Sequence, residues 1–173
     1  MIMHVDIIMK TNLTPCLWFN DQAEAAAQFY TSIFPNSRIN RIARYPGAGE
    51  EIHGRPAGSV MTVAFELNGQ SFTALNGGPI FQLSEAISFQ IDCETQEEVD
   101  YYWEKLTQNG APECQQCGWV KDQYGLSWQV VPRILPELIT DPDPEKANRA
   151  MAAMMQMTKL DIAGLKHAFD GFS

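Results

Sequence analysis

Two thiols three residues apart, Cys114 and Cys117, and a glutamine set in an apolar run, Gln129, carry the most chemical potential in this 173-residue chain. A Cys-x-x-Cys pair can supply half of a tetrahedral zinc site or a dithiol redox couple. No second Cys-x-x-Cys and no His-x-x-x-His accompanies it, and no helix is predicted to begin at Cys114 as a thioredoxin-type motif requires. The plain reading is two small strand residues. Cys117 or Cys16 could act as a nucleophile only with a base beside it to hold the thiolate. None of His4, His53 and His167 falls next to either thiol in the sequence. Gln129 sits within Leu126-Ser-Trp-Gln-Val-Val131, where a polar side chain must find a partner or face a site.

The elements that position these groups read as a duplication. Cys117-Gly-Trp119 leads into the polar turn Lys121-Asp-Gln-Tyr-Gly125, and the run from Leu126 ends at Pro132, which gives strand, turn, strand. Lys121 and Asp122 are expected to stabilise that turn rather than to do acid or base work. Ser59 to Leu67 and Gln70 to Asn76 form an earlier hairpin around Asn68-Gly69, the pair that best tolerates the positive φ angles of a two-residue turn. Each hairpin is preceded by a strand and an amphipathic helix. The first helix places Ala26, Phe29, Tyr30 and Ile33 on one face; the second, about 73 residues later, places Val99, Tyr102, Trp103 and Leu106 there. Asn36 and Gly110 suit the exits from these helices. Arg38 to Tyr45 reads as a further strand, and Glu113 to Trp119 as its weaker counterpart, so the unit is β-α-β-β-β used twice.

At 45% hydrophobic residues the chain can bury a sizeable core, and nothing in it resembles a flexible linker, so one domain spanning 11–173 is expected, with half-modules at about 11–80 and 84–133. No apolar run approaches the roughly 20 residues needed to span a bilayer. Met1 to Lys10, interrupted by His4 and Asp6, does not read as a secretory signal, and cytoplasmic residence follows as the expectation. A net charge of −9 argues against nucleic-acid binding, which rests on clustered cations neutralising phosphates. Arg38, Arg41 and Arg44 read as a solvated strand face.

Beyond Leu135 the composition changes. Asp141-Pro-Asp-Pro-Glu145 offers an acidic cap with a proline fit for a first helical turn, followed by a helix over 147–158. A second short helix is expected from Asp161, with Ile162, Leu165 and Phe169 on one face. Met151, Met154, Met155 and Met157 are adaptable packing side chains, suited to the sheet's outer side or to a partner subunit. A homodimer is the stronger expectation, because small paired sheets leave edges to cover.

Thr14-Pro-Cys-Leu-Trp-Phe19, Ala23-Glu24 with Phe29-Tyr30, Ala74-Leu-Asn-Gly-Gly-Pro79, Cys117-Gly-Trp119 with Lys121-Asp122, Gly125 to Pro132, and Ala150 to Lys159 together resemble the PhnB-like proteins of the glyoxalase/bleomycin-resistance/dioxygenase (vicinal oxygen chelate) superfamily. The resemblance runs from Thr11 to Phe169. It implies an α+β fold in which duplicated βαβββ modules form curved mixed sheets, with C-terminal helices added. Many such relatives carry the label 3-demethylubiquinone-9 3-methyltransferase. The glycine-rich strand-to-helix turn that usually cradles a methyl donor's nucleoside is missing; Gly77-Gly78 precedes Pro79 and reads as a loop.

In the metal-dependent members, His and Glu side chains on the first and last strands of each module hold a divalent ion. The resemblance places Thr14, Asn76, Ala86 and Gln129 near those positions, so the usual triad is expected to be lost and no cofactor is expected, a Gln129-containing atypical site being the alternative. Strand alternation would put Thr14, Cys16 and Trp18 on one face, Ser88 and Gln90 on one face, and Ser127 and Gln129 on one face. The candidate ligand-binding residues are therefore Cys16, Trp18, Asn76, Ser88, Gln90, Cys117, Trp119 and Gln129. The implied function is binding of a small, mostly apolar organic molecule in a half-barrel cavity. The alternatives are an atypical metalloenzyme of the same superfamily and the methyltransferase of the label.

Overall fold

The computed structural model describes residues 12–172; His4 and the N-terminal stretch lie outside them. The chain folds as two units that divide at Pro79/Ile80.

The first unit contains β1 (Cys16–Phe19), α1 (Ala23–Ile33), β2 (Arg38–Arg44), the single-turn α2 (Glu50–His53), β3 (Val60–Leu67) and β4 (Gln70–Asn76). Its sheet runs β1-β4-β3-β2, with β1 parallel to β4 and the other pairs antiparallel. Asn68 and Gly69 take φ of 46° and 84°, which closes the β3–β4 hairpin as the Asn-Gly pair dictates. α1 buries Ala23, Ala26, Ala27, Tyr30 and Ile33. The alternate strand residues Leu17, Phe19, Val63, Phe65, Leu67, Phe72 and Ala74 are buried with them, and the Tyr30, Phe65 and Phe72 rings stack in series.

The second unit repeats the plan with one strand fewer. β5 (Ser88–Cys93), α3 (Gln96–Thr107), β6 (Trp119–Lys121) and β7 (Ser127–Pro132) form a three-stranded sheet, β5-β7-β6, in which β5 is again parallel to the last strand. Thr95 caps α3 by accepting from Glu98 N. The strand expected over Glu113 to Trp119 does not form. Pro112 has no N–H to give a ladder, and Pro112–Cys114 makes a 3-10 turn instead. Gln116 and Trp119 then exchange both backbone hydrogen bonds, at 3.2 and 2.8 Å, around Cys117 and Gly118, whose φ angles are 51° and 83°. This is a second two-residue turn of the Asn68-Gly69 kind. The left-handed residue after α3 is Asn109 at φ 57°; Gly110 is needed for a different reason, since a Cβ there would fall 2.5 Å from Lys121 O.

The tail adds α4 (Leu135–Ile139), α5 (Pro144–Met155) and α6 (Ile162–Asp170). Asp143 caps α5 through bonds from Glu145 N and Lys146 N, and Asp161 caps α6. Val131, Leu135, Leu138, Ala150, Leu160 and Leu165 form a separate core, with Met154, Met157 and Phe169 packed against it.

Burial pushes the Cys93 thiol up to about 12, with Glu98 and Asp92 adding like-charge repulsion. An unfolded thiol ionises near 9.0, so the folded state holds the extra proton at high pH. The resulting stability is complete below pH 9 and is lost as pH rises toward 12. Between pH 9 and 10 the wild type should lose about 1 kcal/mol more than Cys93→Ala. Urea unfolding at the two pH values measures this, and parallel losses in both proteins would contradict it.

Candidate functional site

Register fixes which side chains share a face. In the second sheet Ser88 pairs with Ser127, Gln90 with Gln129, and Asp92 with Val131; across the hairpin Trp119 pairs with Gln129 and Lys121 with Ser127. Side chains alternate along a strand, so Ser88, Gln90, Trp119, Lys121, Ser127 and Gln129 point to one side. The other side carries Cys93, Val120, Trp128 and Val130, buried together with Val99 and Leu106 of α3. Gln129 donates from Nε2 to Ser88 Oγ at 2.9 Å. Gln90 is exposed and donates to Asp92 Oδ1. Ser127 is buried, and its Oγ finds no hydrogen-bond partner among the described residues. Lys121 Nζ meets Glu85 Oε1 at 2.7 Å, which holds the Glu85 carboxyl below its ordinary range and the Lys121 ammonium above its own.

Beside Trp119, on the edge strand β6, opens a groove of about 510 Å3 lined by Glu85, Glu113, Cys114, Gln116, Cys117, Trp119, Met154 and Met155. Its two walls are tied together by backbone. Cys117 N donates to Met157 O at 2.9 Å and Gly118 N to Thr158 O at 2.8 Å, so the chain leaving α5 is held against the Cys117-Gly118 turn. Of the sequence candidates, the groove collects Cys117 and Trp119, while Ser88, Gln90 and Gln129 lie on the adjoining sheet face. Sequence reasoning missed the methionine wall and the turn that faces it. The Cys-Gly dipeptide before Trp119 is the local signal for such a turn.

Cys16, Trp18 and Asn76 belong to the first unit. Cys16 and Trp18 share a face with Thr73 and Leu75; partial burial raises the Cys16 thiol. Trp18 Nε1 donates to Gly78 O at 2.9 Å, and its ring lies so close to Gly77 that a Cβ there would fall 2.1 Å away. Asn76 points the other way. Its Oδ1 accepts from Ala23 N at 2.8 Å and its Nδ2 donates to Val60 O, so its amide caps α1, for which Gln22 supplies no side-chain cap.

The four positions that the resemblance assigns to a metal carry a poor donor set. Thr14 precedes β1, Asn76 is committed to α1, Ala86 has no donor, and the Gln129 amide is engaged with Ser88. Among the described residues no three His, Cys, Asp or Glu side chains gather as a metal site. His53 sits in the first unit against Tyr45, and His167 on α6 against Phe172. Asp122 is buried in the β6–β7 turn, accepting from Tyr124 N, Leu126 N and Trp128 Nε1. No helix among the described residues is long and apolar enough to cross a membrane.

Two units, each with its first strand parallel to its last and a helix packed on one sheet face, define an α+β protein built on two mixed sheets. Residues 11–131 match the family model described as 3-demethylubiquinone-9 3-methyltransferase. The chain belongs to that PhnB-like family. It is similar to a PhnB protein from Bacillus cereus, described as a candidate 3-demethylubiquinone-9 3-methyltransferase, at 36% identity over 70% of this chain and 99% of that one, with a TM-score of 0.60. A protein from Pseudomonas aeruginosa shares the fold at 15% identity, over 68% of this chain and 94% of the other, with a TM-score of 0.51. The fosfomycin resistance protein FosX of Listeria monocytogenes aligns more loosely, at 15% identity over 70% and 91% and a TM-score of 0.43. No curated protein sequence matches significantly. The family match ends at residue 131, short of the resemblance expected to reach Phe169, so α4, α5 and α6 lie beyond it.

Proposed function

We infer that the protein binds a small, mostly apolar organic molecule in the groove beside Trp119, without the divalent metal triad of the superfamily's enzymes. The observation that carries this reading is the groove's lining: an indole, two thioethers and two thiols form an apolar wall, and Gln116, Glu113 and Glu85 supply a few polar groups to orient a ligand. Ser88, Gln90 and Gln129 extend polar contacts along the same sheet face.

The test uses 8-anilinonaphthalene-1-sulfonate as a small apolar probe. Saturable binding is expected, weakened about tenfold in Trp119→Ala, since loss of an aromatic wall removes both area and ring contacts. Equal binding by the variant would sink the assignment. Two competing readings are separable in parallel. Uptake of nickel, zinc, manganese or iron(II) that disappears in Gln129→Ala would favour an atypical metalloenzyme. Saturable binding of S-adenosylmethionine would support the methyltransferase of the family description, for which the Gly77-Gly78 loop, followed by Pro79, offers no nucleotide cradle. Cytoplasmic residence and homodimerisation complete the proposal. Ile80, Phe81 and Ile87 leave large apolar side chains exposed, and a sedimenting particle of only 19.4 kDa would rule the dimer out.

A further inference from the structure

The same groove gathers a set of ligands that an organic molecule does not require. Cys114, Cys117, Met154 and Met155 all line it, and Cys117 Sγ lies 4.0 Å from Met155 Sδ. We propose that this groove is a binding site for a soft monovalent metal ion of the copper(I) or silver(I) type, held by the thiolates of Cys114 and Cys117 and the thioether of Met155. The proposal rests on the groove's sulfur geometry and is independent of any organic ligand.

Metal–sulfur bonds run to about 2.3 Å, so two sulfurs 4.0 Å apart can share one ion at an angle of about 120°, the trigonal value. The ligand types select the ion. Zinc favours four donors drawn from Cys, His and carboxylate; Glu85 and Glu113 also line the groove, but among the described residues no three such side chains gather closely enough to hold an ion. Thiolate and thioether together suit copper(I). Charge fits as well: binding releases one proton from each thiol to solvent, leaving two thiolates around one monovalent cation.

The framework is built before the ion arrives. Cys117 holds a left-handed backbone, φ 51°, which a residue with a Cβ adopts at a cost. The turn is pinned to the strand by Val130 N donating to Gly118 O, and to the tail by Cys117 N and Gly118 N donating to Met157 O and Thr158 O. Those last two bonds set α5, and with it Met155, opposite the thiols. Met154 is half-buried on the C-terminal core, whereas Met155 is exposed to solvent and can swing onto an ion.

Silver(I), which needs no reductant, is the probe of choice. One equivalent should bind to the full-length protein in native mass spectrometry. It should slow iodoacetamide alkylation of Cys114 and Cys117 by about tenfold or more while leaving Cys16 unprotected. Met155→Leu keeps the shape of the wall and removes the sulfur. It should weaken silver binding at least about tenfold, since even outer-shell changes cost a metal site that much. Met151→Leu, on the same helix outside the groove, should bind as the wild type does. Alkylation of Cys114 and Cys117 unaffected by silver in the wild type would overturn the proposal. So would a Met155→Leu variant that binds silver as tightly as the parent, or zinc protecting the two thiols more strongly than silver.

Discussion

Asp122→Ala should lower the unfolding free energy by about 3–5 kcal/mol, because three hydrogen-bond donors lose their acceptor and each buried unmet donor costs roughly 1–3 kcal/mol. Asp122 is 3% exposed, and its carboxylate serves the whole β6–β7 turn. Oδ1 accepts from Tyr124 N at 2.8 Å and Leu126 N at 3.1 Å, and Oδ2 accepts from Trp128 Nε1 at 2.8 Å. Alanine strands all three donors, two of them in buried residues, where an unmet donor carries its full desolvation penalty. Asp122→Asn keeps one carbonyl acceptor and should recover part of the loss. Chemical denaturation of the three proteins, with Trp128 as one reporter, measures the series. An alanine variant within about 1 kcal/mol of wild type would mean that water replaces the carboxylate and that the turn is not organised by it.

Gly118→Ala is expected to cost about 3 kcal/mol and to disturb the groove as well. Two penalties add. The residue sits at φ 83°, which costs a Cβ-bearing residue roughly 1–2 kcal/mol. The added methyl would also lie 2.8 Å from Val130 O and 2.9 Å from Leu160 Cδ1, an overpacking of the kind that costs about 1–3 kcal/mol. Leu160 can shift, but the Val130 carbonyl belongs to the central strand and cannot. Gly125→Ala separates the two terms: its φ is 86°, yet the nearest atom is Lys121 Cε at 3.9 Å, so only the backbone penalty of about 1 kcal/mol or slightly more applies. Because Gly118 N carries one of the two backbone bonds that hold the Cys117 turn against the tail, Gly118→Ala should also speed Cys117 alkylation. Equal stability losses at the two glycines would show that the Val130 contact relaxes freely.

The hairpins were legible because their signals are local. Asn68-Gly69 and the turn ending at Gly125 need only the φ preferences of a few residues, and the faces of α1 and α3 follow from helical spacing. The expected strand at Glu113 to Trp119 was misread for a reason visible afterwards: Pro112 removes a ladder donor and Cys117-Gly118 turns the chain back on itself. Asn76 shows the opposite limit. The family resemblance suggests a ligand contact for it, but its amide points at Ala23 N, which lies 53 residues away in the chain and is invisible to local reasoning.

For the site, the sequence by itself determined the alternation that sets Ser88, Gln90, Ser127 and Gln129 on sheet faces, because a strand's period of two is built into its backbone. It could also name Cys117 and Trp119 as residues with something to offer. Only the tertiary structure decided that Ser88 and Gln129 meet across paired strands, and that Met154 and Met155 close a groove over the two thiols. Those pairings depend on parallel register and on backbone bonds from Cys117 and Gly118 to Met157 and Thr158. Contacts made across forty residues of chain leave no periodic trace in the sequence that makes them.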